Sequence, residues 1–292
     1  MGNWNARRFK LFPRKLQVVK KSCIIAPIHP PHFIPYGLDF ISTYNNYFND
    51  SDIFLIFSSK EDSDQFKLIS GDLRYGSIIC DEPIGPSPIT QKKMFGLKYI
   101  FNNTDFDKVG VIDVDTAFLK YVDYDKCFEE YIQNKKIYTA YSTKHPHVNT
   151  IIKSPTKFFN EQDVTKIKEL THKFRGYFWF NDIPVYKKQY FLDFIKYINY
   201  EENKTKLEYI DFDFIMYGYY LLVKDLATLE FLKIDNQIID LPYGFLEQQH
   251  LVDGNEFEKI IQHYKPMWLK IDTNPEFMEN VFIRLHIHSP YK

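Results

Sequence analysis

Lys108-Val-Gly-Val-Ile-Asp-Val-Asp-Thr-Ala-Phe-Leu119 decides how this chain is read. Four small or β-branched residues, Val109 to Ile112, run straight into Asp113-Val-Asp115. Such residues favour a strand, and an unbroken apolar run marks one covered on both faces. Alternation along a strand turns Asp113 and Asp115 the same way and sends Val114 into the core. Two carboxylates aligned at the carboxyl end of a buried strand repel each other unless a cation or hydrogen-bond donors lie between them. Hard oxygen ligands of this kind suit Mg²⁺ or Mn²⁺ bridging to a phosphate.

The spacing by itself carries little, because Asp211-Phe-Asp213 and Asp123-Tyr-Asp125 repeat it. The copy at Asp113 differs in following an apolar strand and a helical segment. In that setting it resembles the D-x-D motif of nucleotide-sugar glycosyltransferases with the GT-A fold.

Outward from the motif, the first half of the chain alternates strands and helices. Strands are expected at Ser22–Pro27, Asp52–Phe57 and Gly76–Cys80, and helices at Tyr36–Phe48 and Gln91–Phe101. Strand–helix alternation implies βα units and a largely parallel sheet, whose ligands bind beyond the carboxyl ends of the strands. The second half is less regular. Ile137–Tyr141 is expected as a strand, Lys144–Phe159 as a Pro-containing loop, and Gly176–Pro184 as an aromatic strand or turn. Gln189–Tyr197 and Asp213–Val223 are expected as helices, and the alternating Val281–His288 as a strand. No linker, repeat or low-complexity segment interrupts the chain, so one α/β domain is expected over 1–292. It divides into a basic arm over about 1–20, a nucleotide-sugar half over about 22–120 and an acceptor half over about 121–292.

Composition narrows the function. Lys and Arg number 37 against 38 Asp and Glu, which argues against a nucleic-acid binder. Cys23, Cys80 and Cys127 lie far apart without C-x-x-C spacing, so neither a disulfide framework nor a zinc site is implied, and a reducing compartment fits. No apolar run approaches the ~20 residues of a membrane span, and the N-terminus lacks a signal-peptide core. A cytoplasmic protein, bacterial or in a virus-infected host, is therefore expected. The basic arm, with Arg7, Arg8, Lys10, Arg14, Lys15, Lys20 and Lys21, reads as solvated, with weak membrane-surface contact as the alternative. Aromatic residues make up 18% of the chain, alongside abundant Ile, Lys and Asn, which points to an AT-rich genome before any sugar cleft.

The resemblance widens along the chain. Lys93-Met-Phe-Gly-Leu97 ahead of the Asp113 strand looks like the nucleotide half of GT-A enzymes, whose fold is Rossmann-like, with a mixed, mainly parallel sheet between helices. It implies that Lys93, the turn after Ala26, Asp113 and Arg284 face a UDP- or GDP-sugar. It implies Asp115 as a ligand of Mn²⁺ or Mg²⁺, with Asp113 holding the ribose or the metal's water shell or serving as a further ligand, joined by His288 or His286; His263-Tyr-Lys-Pro-Met-Trp268 is a third option with departing spacing. Phe178-Trp-Phe-Asn-Asp-Ile-Pro184 resembles the acceptor-side segment, giving Trp179, Asn181 and Asp182 as acceptor contacts. Asp213-Phe-Ile-Met-Tyr-Gly218 is similar to an acidic E-Y-x-x-Y-G element, with Asp where Glu is usual. Asp213, with Asp211 behind it, is the candidate base for an acceptor hydroxyl; either can instead cap the helix that begins there. The expected activity is metal-dependent hexosyl transfer to a glycan or other hydroxyl acceptor.

Three other readings compete. Sugar nucleotidyltransferases carry an early Gly-rich phosphate loop, and residues 26–37 hold only Gly37. Haloacid-type phosphatases place D-x-D near the N-terminus with a following Thr two residues on, unlike Asp113-Val-Asp-Thr116. A non-catalytic carbohydrate-binding protein is separated from an enzyme by metal-dependent nucleotide binding.

Overall fold

The computed structural model describes residues 21–48, 52–82, 85–114, 116–118, 121, 123–141, 146–174, 176–177, 184–232, 238–241, 245–248 and 282–285. The basic arm over 1–20 lies outside them. Strand β1 (Ser22–Pro27) leads to α1 (Leu38–Tyr47), β2 (Ile53–Phe57), α2 (Lys60–Ser70), β3 (Gly76–Ile79), α3 (Pro88–Asn103) and β4 (Lys108–Val111). Then come β5 (Thr116–Phe118), α4 (Tyr124–Asn134), β6 (Lys136–Tyr141), α5 (Pro146–Lys153), α6 (Glu161–Leu170), β7 (Gly176–Tyr177) and β8 (Val185–Lys187). The rest is α7 (Lys188–Tyr197), α8 (Tyr200–Asn203), α9 (Asp213–Val223), β9 (Thr228–Leu232), β10 (Ile238–Leu241), β11 (Phe245–Gln248) and β12 (Phe282–Leu285).

The central sheet has the order β3-β2-β1-β4-β8, with β8 antiparallel to β4 and every other pairing parallel. Alternation along β1 divides the core. Cys23 and Ile25 pack with Met94, Leu97 and Ile100 of α3, Phe191 and Phe194 of α7, and Met216 and Tyr219 of α9. Ile24 and Ala26 pack on the opposite face with Phe40 and Tyr44 of α1, Phe66 of α2 and Phe128 of α4. Each fully buried aliphatic or aromatic side chain of this kind contributes roughly 1.5–3 kcal/mol, so both faces must be covered. A mixed, mainly parallel sheet between two helical layers is the α/β architecture that the strand–helix alternation implies.

The Lys108–Leu119 run is not one strand. β4 stops at Val111, the Thr116 amide donates to the Asp113 carbonyl at 3.2 Å, and β5 joins a second sheet of order β10-β11-β12-β5. Asp113 therefore stands in a turn, and strand alternation does not set its direction. The buried neighbours Ile112 and Val114 do, by fastening the turn on either side. A third sheet has the order β7-β6-β9.

Several helices depart from expectation, among them α2, α4, α5 and α6. Residues 146–153 form α5 inside the expected loop, with Pro146 opening the helix and Ile151 and Ile152 buried. Helix α2, unforeseen, begins where the Ser59 side chain accepts from the Asp62 amide. Among the described residues, no helix is long and apolar enough to cross a membrane.

Candidate functional site

The chain steps from β1 to β2 to β3 in one direction, then places β4 on the other flank of β1. The carboxyl ends of β1 and β4 therefore enclose the topological switch point, the usual ligand crevice of an open parallel sheet. Asp113 lies at the β4 side, its side chain 27% exposed. His29 and His32 follow β1 on the other side.

Helix α3 runs behind both. Gly96 lets it approach the sheet, since a Cβ there would stand 2.3 Å from Ile56 Cδ1 and 3.3 Å from Ile25 Cδ1. One turn earlier, two adjacent lysines are buried. Lys92 Nζ donates to the Ile28 carbonyl at 2.8 Å, closing the end of β1. Burial lowers its pKa, with Asp62 and Cys80 opposing. Lys93 Nζ lies 2.8 Å from Asp113 Oδ1 and 4.0 Å from Asp213 Oδ1.

Asp213 opens α9, and its side chain is only 1% exposed. The Tyr186 hydroxyl donates to its Oδ2 at 2.5 Å, while Oδ1 accepts no hydrogen bond among the described residues. Burial raises the Asp213 pKa; Lys93, the Tyr186 hydroxyl and its own backbone N–H oppose this, and Asp113 reinforces it. Burial, then the Asp213 charge, pushes the Tyr186 phenol well above its ordinary value. At an effective dielectric of about 20, two unit charges 4 Å apart attract by about 4 kcal/mol. Desolvating each ion costs several kcal/mol, so carboxylates close to a lysine this deeply buried offset part of its cost. Asp113, Lys93 and Asp213 thus form one electrostatic unit, open to solvent at the Asp113 end.

Asp211 has a different environment. Its Oδ1 accepts from Ser154 Oγ at 2.7 Å, and Oδ2 accepts from the Glu208 amide at 2.7 Å and lies 2.6 Å from Lys157 Nζ. Its carbonyl accepts from Thr90 Oγ1 at 2.8 Å. Both carboxylate oxygens are engaged, and the residue ties the start of α3 to the loop before α9. That tie brings Asp213 opposite Lys93.

His29 and His32, read from sequence as solvated turn residues, are half-buried instead. Their ring centroids are 4.0 Å apart, and His32 lies 5.2 Å from the Tyr36 ring. Burial, followed by the His32 and Lys92 charges, pushes His29 down to about 4. Burial also lowers His32, with Asp113 pulling the other way. Both imidazoles are neutral near pH 7. Ala26 lies inside β1, fully buried and paired with Leu55, so the wall of the crevice starts beyond it.

Arg284 sits on β12, where the register sets it opposite Thr116, next to the D-x-D turn. Asp115, His263, His286, His288, Trp179, Asn181 and Asp182 lie outside the described residues. Among the described residues, no group of three or more His, Cys, Asp or Glu is placed to hold a metal ion. Asp113 is a hard, partly exposed oxygen donor, as a divalent cation requires.

Sequence reasoning missed Tyr186, Lys92 and the histidine pair. The histidines carried one usable signal, their position directly after a buried strand. Tyr186 carried none, because its partner is 27 residues away.

No protein-family model matches the chain, and no curated protein matches its sequence. Solved structures that superpose on it include the WbbM bifunctional glycosyltransferase, with TM-score 0.47 and 11% identity over 91% of this chain and 46% of that one. Mouse xyloside xylosyltransferase 1 gives TM-score 0.43 and 7% identity over 91% of this chain and 97% of that one. Core-mannan synthase A (CmsA/Ktr4) from Aspergillus fumigatus, in a Mn/GDP form, gives 0.45 and 12% over 73% and 72%. The chain spans about half the length of the first of these.

Proposed function

We propose that this chain is a glycosyltransferase of GT-A type, moving a hexose from a UDP- or GDP-sugar to a hydroxyl acceptor, in one catalytic domain. The observation that carries the reading is the partly exposed Asp113 at the switch point, backed by the buried Lys93 and Asp213. A leaving diphosphate develops negative charge there, and a preorganised cationic site stabilises such charge best where water is excluded. Mn²⁺ or Mg²⁺ would be held by Asp113 and Asp115, with His288 or His286 completing the set, and would act as a Lewis acid on the diphosphate. Lys93 supplies a further positive charge close to the same carboxylate. Arg284, opposite Thr116 in the strand register, is the second cation on the donor side.

Asp213 is the candidate base from sequence. Its burial and its Tyr186 bond favour a different role, that of orienting the Lys93 ammonium. Trp179, Asn181 and Asp182 are proposed for the acceptor side, where an aromatic face and hydrogen-bonding groups suit a sugar.

The test is a panel of UDP- and GDP-sugars with Mn²⁺ or Mg²⁺, followed by release of the nucleoside diphosphate. Turnover of at least one donor, abolished by EDTA, is expected. Metal-dependent donor binding without turnover would leave a non-catalytic binding protein, and absence of both would reject the reading.

A further inference from the structure

Lys93 stands between two carboxylates of opposite character. Asp113 is partly exposed and bonded at 2.8 Å; Asp213 is buried, and its Oδ1 is 4.0 Å from the ammonium, outside hydrogen-bond reach. That Oδ1 is shielded from water and accepts no hydrogen bond among the described residues. A buried acceptor left unmade is costly. Lys93, 4.0 Å away, is a donor that can repair it, since its four-carbon stem allows a small shift of the ammonium. Tyr186 already holds Oδ2 at 2.5 Å, so the carboxylate is fixed with Oδ1 turned to the lysine.

We propose that Asp213 and Tyr186 form a second seat for the Lys93 ammonium, and that Lys93 exchanges Asp113 for Asp213 when Asp113 serves a divalent cation. The inference rests on the metal-site reading above and assigns Tyr186 and Asp213 as positioning residues. Without a cation, Lys93 neutralises Asp113. With one, two positive charges on a single carboxylate repel, and Lys93 completes the bonding of Asp213. The buried ammonium then stays inside the site as a second positive charge instead of being expelled. Cation affinity is set partly by how readily Lys93 leaves.

A double-mutant cycle read by Mg²⁺ calorimetry on the full chain tests this without any sugar donor. Lys93→Met removes the competing charge and should tighten Mg²⁺ binding by about tenfold, while Asp213→Asn removes the second seat and should weaken it by about tenfold. In the Lys93→Met background, Asp213→Asn should change affinity by less than about twofold, because Asp213 then has no lysine to receive. Tyr186→Phe should weaken binding in the wild-type background and have no effect with Lys93→Met. It keeps the test open if Asp213→Asn fails to fold, which melting curves reveal. Equal loss from Asp213→Asn with or without Lys93 would overturn the proposal, since Asp213 would then act through its charge alone. No Mg²⁺ binding by wild type or Lys93→Met would overturn it together with the metal reading. Coupled binding without turnover of any nucleotide sugar would uphold the two-seat arrangement and reject only the transferase assignment.

Discussion

Asp113-Val-Asp115 and Asp211-Phe-Asp213 share one sequence pattern and occupy opposite environments. Asp113 is partly exposed at the end of the central sheet and is ion-paired with Lys93. Asp211 is fully buried, and both its oxygens are taken by Ser154, Glu208 and Lys157. A carboxylate that reaches solvent can serve a ligand, whereas one enclosed by donors serves the fold. Asp213 stands between these cases, buried like Asp211 yet directed at the lysine that Asp113 holds. The motif alone is therefore uninformative, and the difference lies in what surrounds each copy.

The sharpest way to break this contrast is to neutralise each acid in turn. Asp113→Asn should lower donor turnover by roughly 10²–10³-fold, the scale of losing one preorganised electrostatic group, and should lower the melting temperature less than Asp211→Ala does, because Asp213 still faces Lys93. Asp211→Ala should do the reverse. It strands Lys157 and Ser154 around an emptied buried site and should cost about 3 kcal/mol or more, read as a lower denaturation midpoint. If Asp211→Ala folds normally and Asp113→Asn unfolds the chain, the assignments must be exchanged.

A smaller effect separates Asp213 from both. Tyr186→Phe deletes one hydroxyl in a fully buried contact and should destabilise the protein by about 1–2 kcal/mol, because Oδ2 loses its donor without gaining water. Its packing against Tyr217, with ring centroids 4.5 Å apart, is retained. A neutral result in chemical denaturation would mean that the Tyr186 hydroxyl does not hold Asp213 in the folded protein.

Much of the fold was legible because burial on both sheet faces imposes unbroken apolar runs. Ser22–Pro27 and Asp213–Val223 were read with the boundaries that the structure has. Residues 146–153 were not, since Pro146 and Pro155 suggest a loop while Pro146 in fact opens a helix. The break after Val111 was invisible for a different reason. Apolar residues continue through it, and only pairing with β12, more than 160 positions further along, draws Thr116–Phe118 into another sheet. The candidate site shows the same division. Asp113, Lys93 and Asp213 carried local signals, whereas the Tyr186–Asp213 bond and the Asp211 contacts arise from tertiary packing, which no local pattern records.

The smallest predicted effect concerns the other wall of the crevice. His29 has its pKa pushed down to about 4 from an ordinary 6.5, so the folded protein holds it neutral where the unfolded chain would protonate it. Between these values the unfolded state binds more protons, and stability falls as pH falls. The contribution is fully present above about pH 6.5, declines from 6.5 to about 4, and is gone below that. His32, lowered in the same direction, adds to the trend, with Asp113 opposing it. Because His29 is only half-buried, solvent screens part of the shift, leaving about 1 kcal/mol at stake, or about 2–4 °C in melting temperature for a chain near this size. Carboxylates titrate over the lower part of the same window, so wild type must be compared with His29→Asn, which keeps a polar neutral group. The variant should lose less stability than wild type between pH 6.5 and pH 4.5. Identical acid profiles would mean that the imidazole is solvated in solution, and that the wall opposite Asp113 lies elsewhere.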